Sequence, residues 1–182
     1  SARAWFPSTY EPGVCDYLRS RVHPGDVCLN VGAHVGLYAL CLAEWSKPGG
    51  RVVAFEPNPP TRRVLSDHVR RNELRDRVTV EPLAVGGAVG RATFVAAPLA
   101  GTSRIGTPNP EVLTPHERLD VEVTTLDVYC EGRGIRPDWI VMDIEGFEVE
   151  ALKGARATLA AGAGRIGIVM AGYLLNAVML PR

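Results

Sequence analysis

Lysine is almost absent from this chain of 182 residues, in which Lys47 and Lys153 are the only two. Arginine supplies the remaining positive charge, and 20 basic residues balance 20 acidic ones to a formal net charge of zero. A neutral domain lacks the field that gathers nucleic-acid phosphates. DNA and RNA are therefore not expected as partners or substrates.

Long apolar runs and paired cysteines are also missing. No run approaches the roughly 18 residues of a membrane span, and residues 1–20 show no signal-peptide pattern. Cys15, Cys28, Cys41 and Cys130 show no C-x-x-C spacing, so we expect reduced core thiols. These absences predict a cytoplasmic protein without membrane association.

The residues that are present indicate one globular domain over residues 1–182, since 46% are apolar and 22% are charged. From residue 27 onward, apolar strand-like runs alternate with helix-period segments. This alternation is typical of α/β proteins with a doubly wound, mostly parallel sheet. The predicted strands are 27–32, 51–57, 78–85, 138–146 and 165–171, and the predicted helices are 37–45, 60–72 and 148–161.

Three segments fall outside this alternation. Residues 12–21 are predicted to form a helix within an N-terminal lead-in, residues 1–22, that packs on the first strand. Residues 90–97 and 119–125 alternate apolar and polar side chains, as half-exposed antiparallel strands do, and predict a hairpin at an edge of the sheet. Residues 97–118, rich in Pro, Gly and Thr, predict a long loop.

The first predicted strand ends in LNVGAHVG, which places Gly32 and Gly36 where a strand turns into a helix. Backbone N–H groups and a helix N-terminus at such a turn attract anions. Dinucleotide enzymes have G-x-G-x-x-G there, and their second glycine lets the backbone approach a pyrophosphate. Here that position is His34. The turn therefore disfavours NAD, whereas S-adenosyl-L-methionine, which has a carboxylate and no phosphate, still fits.

Glu56 stands at the end of the second predicted strand, 24 positions after Gly32. An acidic residue near this place binds ribose hydroxyls in adenosine-binding α/β folds. One carboxylate can accept hydrogen bonds from both hydroxyls. The glycine turn alone is equally compatible with a structural turn, but together with Glu56 it predicts an adenosine cofactor.

Asp143 and Glu145, in MDIEGFE, stand at the carboxyl end of a predicted buried strand, where open α/β sheets bind ligands. Residues two apart on a strand point to one face, so both carboxylates are expected to face one crevice. They can orient and partly deprotonate a hydroxyl, hold an ammonium group, or bind a divalent metal. A metal is disfavoured, because hard cations require several oxygen ligands. Glu145 can instead cap the next helix or pair with an arginine.

The four histidines differ in their surroundings. His23 precedes a strand and His68 lies within a helix, so both are expected to be structural. His34 lies either beside the cofactor or in a polar contact at the start of a helix. His116, in the long loop, is a candidate for contact with a substrate.

These residues belong to a series of motifs that resembles the FkbM methyltransferases. The series is YE (Tyr10, Glu11), PGD (24–26), LNVGAHVGLYAL, VVAFEPNP, LAVG, TTLD and MDIEGFEVEALKGA, which together span about residues 10 to 160. The resemblance implies a class I, Rossmann-like methyltransferase fold. It also implies S-adenosyl-L-methionine as cofactor, S-adenosyl-L-homocysteine as product, and O-methylation of a hydroxyl on a small molecule, secondary metabolite or sugar.

The resemblance also implies roles for particular residues. Leu83 and Ala84 would lie beside adenine, and Glu11 would reach the amino-acid end of the cofactor. Asp143 and Glu145 are the implied catalytic residues. The implied cofactor-binding residues are Glu11, Asn30, Gly32, Ala33, His34, Gly36, Glu56, Pro57, Leu83, Ala84 and Asp143, and no metal ligand is implied.

Three positions depart from the family pattern. Asn30 replaces an aspartate and His34 an asparagine, which removes a charge near the amino-acid end of the cofactor. Ala171 replaces a glutamate, and the 11 residues after it are too few for the helix and two strands that complete a seven-stranded sheet. The sequence therefore predicts a domain truncated after its fifth core strand, whose apolar edge can pair with a second copy in a homodimer.

Three other functions stay open on the sequence alone. A nicotinamide oxidoreductase is disfavoured by His34, and an RNA methyltransferase by the lack of a basic patch. A cofactor-binding module without catalysis is compatible with the missing carboxyl-terminal elements.

Overall fold

The computed structural model describes residues 11–96, 104–105, 117–162 and 167–170. Within these ranges the chain forms six helices and nine strands. In chain order they are α1 (Pro12–Arg21), β1 (Val27–Val31), α2 (Leu37–Trp45), β2 (Arg51–Phe55), α3 (Pro59–Arg71), β3 (Val78–Glu81), β4 (Ala84–Val85), β5 (Gly90–Ala96), β6 (Arg104–Ile105), β7 (Glu117–Thr124), α4 (Leu126–Arg133), β8 (Trp139–Met142), α5 (Glu148–Lys153), α6 (Arg156–Ala161) and β9 (Gly167–Met170).

The central sheet has the strand order β3-β2-β1-β8-β9, and every neighbouring pair is parallel. This arrangement confirms the predicted α/β class and the parallel sheet. The order reverses at β1, because β2 and β3 lie on one side of it and β8 and β9 on the other. In open α/β sheets, ligands bind outside the carboxyl ends of the strands at such a reversal.

Helices cover both faces of the central sheet. Cys28, Val52 and Val141 belong to one core cluster, which includes residues of α1, α2 and α3. Leu29 and Ile140 belong to a second cluster, to which α4 and α5 contribute. Strands buried on both faces are continuously apolar, which is why β1, β2 and β8 were visible in the sequence. None of the described helices combines the length and apolar character that crossing a membrane requires.

A second sheet, with the order β4-β7-β5-β6, is separate from the central one. β5 and β7 pair antiparallel over seven residue pairs, which confirms the predicted pairing. The predicted position at an edge of the main sheet is wrong, because β5 and β7 form a separate sheet together with β4 and β6. The predicted strand 78–85 is divided between the two sheets, since β3 pairs with β2 and β4 with β7. After β3 the chain passes Pro82, which has no N–H to donate, and β4 then pairs with β7.

The predicted helix 148–161 is two short helices, α5 and α6, separated at Gly154. A Cβ on Gly154 would lie 2.3 Å from the backbone oxygen of Gly86. The backbone N–H of Asp127 donates to the Gly154 oxygen at 2.9 Å, and its carboxylate accepts from two backbone N–H groups in the first turn of α6. Contacts with residues distant in sequence therefore decide where the helix is interrupted.

All four cysteines lie in the described ranges, and no disulfide joins them. Cys28, Cys41 and Cys130 are buried. Burial raises the pKa of the Cys41 thiol to about 12, so this group stays protonated near neutral pH. The prediction of reduced core thiols is confirmed for these three residues.

Several predictions concern residues outside the described ranges. They include Tyr10, most of the long loop 97–118 with His116, and Ala171 with the segment 172–182. Within the described part, β9 is the last strand on its side of the sheet. Pairing of this edge with a second copy, and truncation of the domain, stay predictions.

Candidate functional site

A cavity opens at the carboxyl ends of β1, β2 and β8, where the strand order reverses. The central sheet and the turns that follow its strands form one side of the cavity, and the second sheet contributes to the other. The cavity is lined by Val31, Gly32, His34, Phe55, Glu56, Pro57, Thr61, Leu83, Ala84, Val85, Phe94, Ile105, Asp143, Ile144, Glu145 and Phe147.

The structure brings together eight of the twelve residues that the sequence proposed for the site. They are Gly32, His34, Glu56, Pro57, Leu83, Ala84, Asp143 and Glu145. The other four do not line the cavity; they are Glu11, Asn30, Ala33 and Gly36. Residues separated by more than 100 positions in the sequence therefore meet here, because the turns after β1, β2 and β8 lie at one edge of the sheet.

Gly32 allows the ends of β1 and β8 to approach each other closely. Its φ is +80°, and a Cβ at this position would lie 2.0 Å from the backbone oxygen of Asp143. The Asp143 N–H donates to the oxygen of Val31 at 2.9 Å. A side chain at residue 32 would separate these two backbone segments, so this part of the cavity requires glycine.

The backbone N–H groups of the glycine turn bind the end of β2. Those of Gly32 and Ala33 donate to the Phe55 oxygen at 3.1 and 2.9 Å, and that of His34 donates to Oε2 of Glu56 at 2.8 Å. The expectation that the turn's amides face an anionic ligand is therefore wrong for these three, while the expectation for the helix N-terminus stays a prediction. Their tertiary partner is the neighbouring strand, and the turn contributes to the site by positioning Glu56.

Asn30 and Gly36 lie in the packed interior beside the cavity. The Asn30 side chain is fully buried, and its Nδ2 donates to the Val141 oxygen at 3.5 Å. Gly36 precedes α2 with a φ of +103°, and a Cβ there would lie 2.6 Å from Cδ1 of Leu65 on α3. The second glycine of the turn therefore allows α2 and α3 to pack closely. Ala33 is also buried, in the cluster shared by these helices.

Glu56 is a buried carboxyl group held in place from two directions. Its side chain accepts from the backbone N–H of His34 through Oε2 and from that of Asn58 through Oε1, both at 2.8 Å. Burial raises its pKa to about 7, against the opposing effect of these two hydrogen bonds and of Arg62. Each oxygen keeps a lone pair for a further hydrogen bond. The group is therefore ready to accept from a ligand.

Asp143 and Glu145 both line the cavity, although not for the predicted reason. β8 ends at Met142, and Glu145 and Gly146 have φ values of +54° and +92°. The two carboxylates thus lie in a turn rather than on a strand. The left-handed residues bend the chain back, and this bend directs both carboxylates toward one space.

Glu148 stabilises this turn. Its Oε1 accepts from the backbone N–H groups of Ile144 and Gly146, at 3.1 and 3.3 Å. Glu145 itself lines the cavity, and its alternative roles, capping the next helix or pairing with an arginine, stay predictions.

Asp143 is surrounded by groups of like charge. Burial, which has the largest effect, and the charges of Glu145, Glu11 and Glu148 together raise its pKa to about 7. Glu11 precedes α1 and accepts a hydrogen bond from the Tyr38 hydroxyl. Glu11 is therefore close enough to act on Asp143 electrostatically, even though it does not line the cavity.

His34 adopts a left-handed backbone conformation, with a φ of +49°. Burial lowers the pKa of its imidazole, which favours the neutral form. Within the described residues, its Nε2 is buried and has no hydrogen-bond partner. His68, expected to be structural, contacts the Val35 oxygen of the same turn through Nδ1 at 2.7 Å.

The sequence did not indicate which residues form the apolar side of the cavity. Phe94 of β5 and Ile105 of β6 are partners in register in the second sheet, and both line the cavity together with Phe147. The alternating pattern of β5 does put Phe94 on the buried face of its strand. The surface that this face covers depends on tertiary structure, so the pattern could not assign it to the site.

The cavity therefore combines an acidic wall with an apolar wall. Glu56, Asp143 and Glu145 form the first, and among the lining residues that the structure describes there is no lysine or arginine. Such a space suits a ligand with hydroxyl groups, an apolar ring and no negative charge at its centre. Across the described ranges, no group of three or more His, Cys, Asp or Glu side chains is placed to hold a metal ion.

The fold, with a ligand crevice at the strand reversal, is that of the class I methyltransferases. The methyltransferase FkbM of Methylobacillus flagellatus KT superposes with a TM-score of 0.56 at 21% identity, over 85% of this chain and 39% of that chain. Precorrin-6y C5,15-methyltransferase of Geobacter metallireducens GS-15 superposes with a TM-score of 0.50 at 17% identity, over 91% of this chain and 65% of that chain. At these identities the likeness concerns the fold.

Within this class, the chain belongs to the FkbM methyltransferase family, because the model of the methyltransferase FkbM domain matches residues 30–170. The chain is 30% identical over 149 residues to the hexuronic acid methyltransferase AglP of Haloferax volcanii, which covers 79% of this chain and 56% of AglP. It is 38% identical over 80 residues to the 31-O-demethyl-FK506 methyltransferase FkbM of Streptomyces tacrolimicus. This match covers 43% of this chain and 30% of the Streptomyces protein. The family resemblance of the motifs is thus confirmed, and the chain spans about half the length of AglP.

Proposed function

We propose that this chain binds S-adenosyl-L-methionine and transfers its methyl group to a hydroxyl of a small molecule or sugar. The observation that carries the proposal is the placement of Glu56. A carboxyl group that is 5% exposed and clamped by two backbone N–H groups ends the strand next to the one that carries the glycine turn. Carboxylates at this place in adenosine-binding α/β folds bind ribose hydroxyls.

The residues around Glu56 fit the rest of this cofactor. Leu83 and Ala84 offer an apolar surface against which adenine would lie. Gly32 allows the backbone of Asp143 to lie against the glycine turn, and Asp143 would line the reaction site. When bound, the cofactor supplies an electrophilic methyl group.

The same turn argues against a dinucleotide. A pyrophosphate needs free backbone N–H groups and a close approach to the turn. Here Gly32 and Ala33 donate to Phe55, and His34 donates to Glu56. The alternative of a nicotinamide oxidoreductase is therefore disfavoured by the hydrogen bonds as well as by the sequence.

Asp143 and Glu145 would act on the acceptor. Each can accept a hydrogen bond from a hydroxyl, and a pKa of about 7 for Asp143 suits a group that takes up a proton near neutral pH. Phe94, Ile105 and Phe147 would exclude water and restrict the pose of the acceptor. Alignment of the acceptor oxygen is the largest contribution expected of a protein in such a displacement.

The names of two relatives support a sugar or small-molecule acceptor. AglP is named for a hexuronic acid, and the Streptomyces protein for 31-O-demethyl-FK506. We infer an acceptor of this general kind for the present chain, with the methyl group transferred to oxygen.

Isothermal titration calorimetry with S-adenosylmethionine, S-adenosylhomocysteine and NAD tests the proposal. We expect the first two to bind and NAD not to bind. Folded protein that binds NAD, or neither sulfur compound, would contradict it. A second assay with methyl-labelled cofactor and hydroxylated acceptors separates an enzyme from a binding module, because a module would bind the cofactor without turnover.

A further inference from the structure

A ring nitrogen at the cavity has no hydrogen-bond partner in the described part of the chain. Nε2 of His34 is shielded from solvent and is neither donor nor acceptor there. Other buried side-chain atoms share this condition, on Asn30, Ser46, Asn58 and Arg77, but those four residues do not line the cavity. A polar atom that is buried without a partner destabilises the fold. Its place beside a ligand cavity therefore suggests that a ligand supplies the partner.

The backbone of the glycine turn holds His34 next to Glu56. The His34 N–H donates to Oε2 of Glu56 at 2.8 Å, and both residues line the cavity. The φ of His34 is +49°, in the left-handed region that is uncommon for residues with a Cβ. Such conformations persist where the surrounding structure enforces them, and they are concentrated at ligand sites. The imidazole is thus kept at the same end of the cavity as the carboxyl group.

The backbone N–H groups around Glu56 already have partners. Those of His34 and Asn58 donate to its carboxylate, and its own N–H donates to the Glu81 oxygen at 3.0 Å. Pro57, the next residue, has no N–H. A ligand group beside Glu56 therefore meets a strong acceptor, whereas these backbone donors are no longer free for it.

A ribose hydroxyl needs both an acceptor and a donor. It donates one hydrogen bond, and its oxygen has two lone pairs that can accept. In the proposed function Glu56 accepts from the hydroxyl, so the hydroxyl oxygen still needs a donor. Burial lowers the pKa of His34 and favours the neutral imidazole, which carries one N–H. The tautomer with its hydrogen on Nε2 supplies that donor.

We propose that Nε2 of His34 donates a hydrogen bond to a ribose hydroxyl of S-adenosylmethionine whose own hydrogen is accepted by Glu56. This inference rests on the proposed function and adds a second residue to its ribose site. His34 then selects for an intact ribose, because a deoxyribose would leave the ring nitrogen buried without a partner. The side chain that would crowd a pyrophosphate thus has a use toward the cofactor.

Two substitutions of equal length isolate the ring nitrogen. His34→Gln keeps an N–H donor at about the reach of Nε2, whereas His34→Met has a side chain of similar shape without a donor. Both variants keep the backbone N–H that donates to Glu56, and both meet the same left-handed backbone. Urea denaturation verifies that they fold with equal stability. His23→Met is the control, since His23 is exposed and does not line the cavity.

Calorimetric dissociation constants are measured for S-adenosylhomocysteine and for its 2′-deoxy and 3′-deoxy analogues. We expect His34→Met to bind S-adenosylhomocysteine about three- to tenfold more weakly than the wild type, the loss expected for one neutral hydrogen bond. His34→Gln should bind nearly as tightly as the wild type, and His23→Met should be unchanged. For the analogue that lacks the contacted hydroxyl, His34→Met and the wild type should bind equally, because neither can form the bond.

A loss in His34→Met that is the same for all three ligands would overturn the inference, because the side chain would then act on the turn rather than on the ribose. Equal losses in His34→Gln and His34→Met, or no loss in either, would overturn it as well. Thr61 also lines the cavity and carries a hydroxyl donor, so Thr61→Val is measured in parallel. Coupling to a ribose hydroxyl in Thr61→Val, with none in His34→Met, would remove the role from His34.

These outcomes leave binding of S-adenosylhomocysteine by the wild type intact, and with it the proposed function. Failure of the folded wild type to bind S-adenosylmethionine or S-adenosylhomocysteine would overturn the proposed function and this inference together.

Discussion

The backbone oxygen of Asp143 lies 2.0 Å from the position that a Cβ on Gly32 would occupy. The ends of β1 and β8 meet at this contact, directly at the reversal of strand order. The missing side chain allows Asp143 to stand beside the glycine turn, and the turn in turn holds Glu56 through the backbone N–H of His34. The absence of a side chain at residue 32 therefore places the backbone of Asp143 next to the turn that holds Glu56.

Gly32→Ala is expected to lower the free energy of unfolding by about 3 kcal/mol or more, because the added methyl group overlaps backbone that cannot move aside easily. The positive φ adds strain for any residue with a Cβ. Urea denaturation, with the midpoint and slope compared to wild type, measures the loss.

Gly25→Ala provides the control for this substitution. Gly25 has a φ of +92°, and nothing lies within 4 Å of its added Cβ. Only the backbone conformation should contribute there, at about 1 to 2 kcal/mol. Equal losses in the two variants would show that the contact between residues 32 and 143 is looser than described.

Glu56→Gln is expected to weaken S-adenosylhomocysteine binding by about 1.5 to 3 kcal/mol, the range for hydrogen bonds to a charged group. The amide keeps one oxygen, but its NH₂ group must face a backbone N–H, of His34 or Asn58, that now donates to the carboxylate. Calorimetry on folded variant measures the change.

Glu81→Gln serves as the matched variant for Glu56. Glu81 ends the neighbouring strand and accepts from the Tyr129 hydroxyl at 2.8 Å, and it does not line the cavity. Its substitution should leave the affinity unchanged. An unchanged affinity in Glu56→Gln as well would remove the ribose role from Glu56.

Asp143→Asn is expected to lower the turnover of methyl transfer by at least about tenfold at saturating cofactor, because positioned general bases contribute factors of about 100 or more. Affinity for S-adenosylhomocysteine should change far less, because the proposed role of Asp143 is toward the acceptor hydroxyl. The comparison of kcat with the dissociation constant separates the two effects. Turnover within a factor of two of the wild type would count against this role.

The stability of the fold should fall as pH rises from about 5 to 7. The pKa values of Glu56 and Asp143 are raised to about 7, so the folded chain binds protons that the unfolded chain has already lost in this window. Each such group lowers the free energy of unfolding by up to about 1.4 kcal/mol per pH unit.

Urea denaturation of the wild type at pH 5, 6 and 7 measures this dependence. The double variant Glu56→Gln, Asp143→Asn cannot ionise at these two positions and should show a flatter profile. Identical profiles for the two proteins would mean that neither carboxyl group has a raised pKa in the folded state.

The sequence by itself determined the class of the fold and most of the elements of the central sheet. Strands buried on both faces are continuously apolar, and helices on a sheet are periodic, so both patterns are local. The helix at 37–45 has the predicted bounds. Glu56 and Asp143 were also found from sequence, because they directly follow such strands and parallel strands end at one edge of the sheet.

The tertiary structure alone decided how these residues are used. It bonded the amides of the glycine turn to Phe55 and Glu56, and it brought Phe94 to the cavity. Each of these partners is distant in sequence, or lies on a strand whose own sequence pattern does not show what the strand packs against. A hydrogen-bond donor or an apolar face is visible in one segment, but its partner is chosen only when the whole chain has packed.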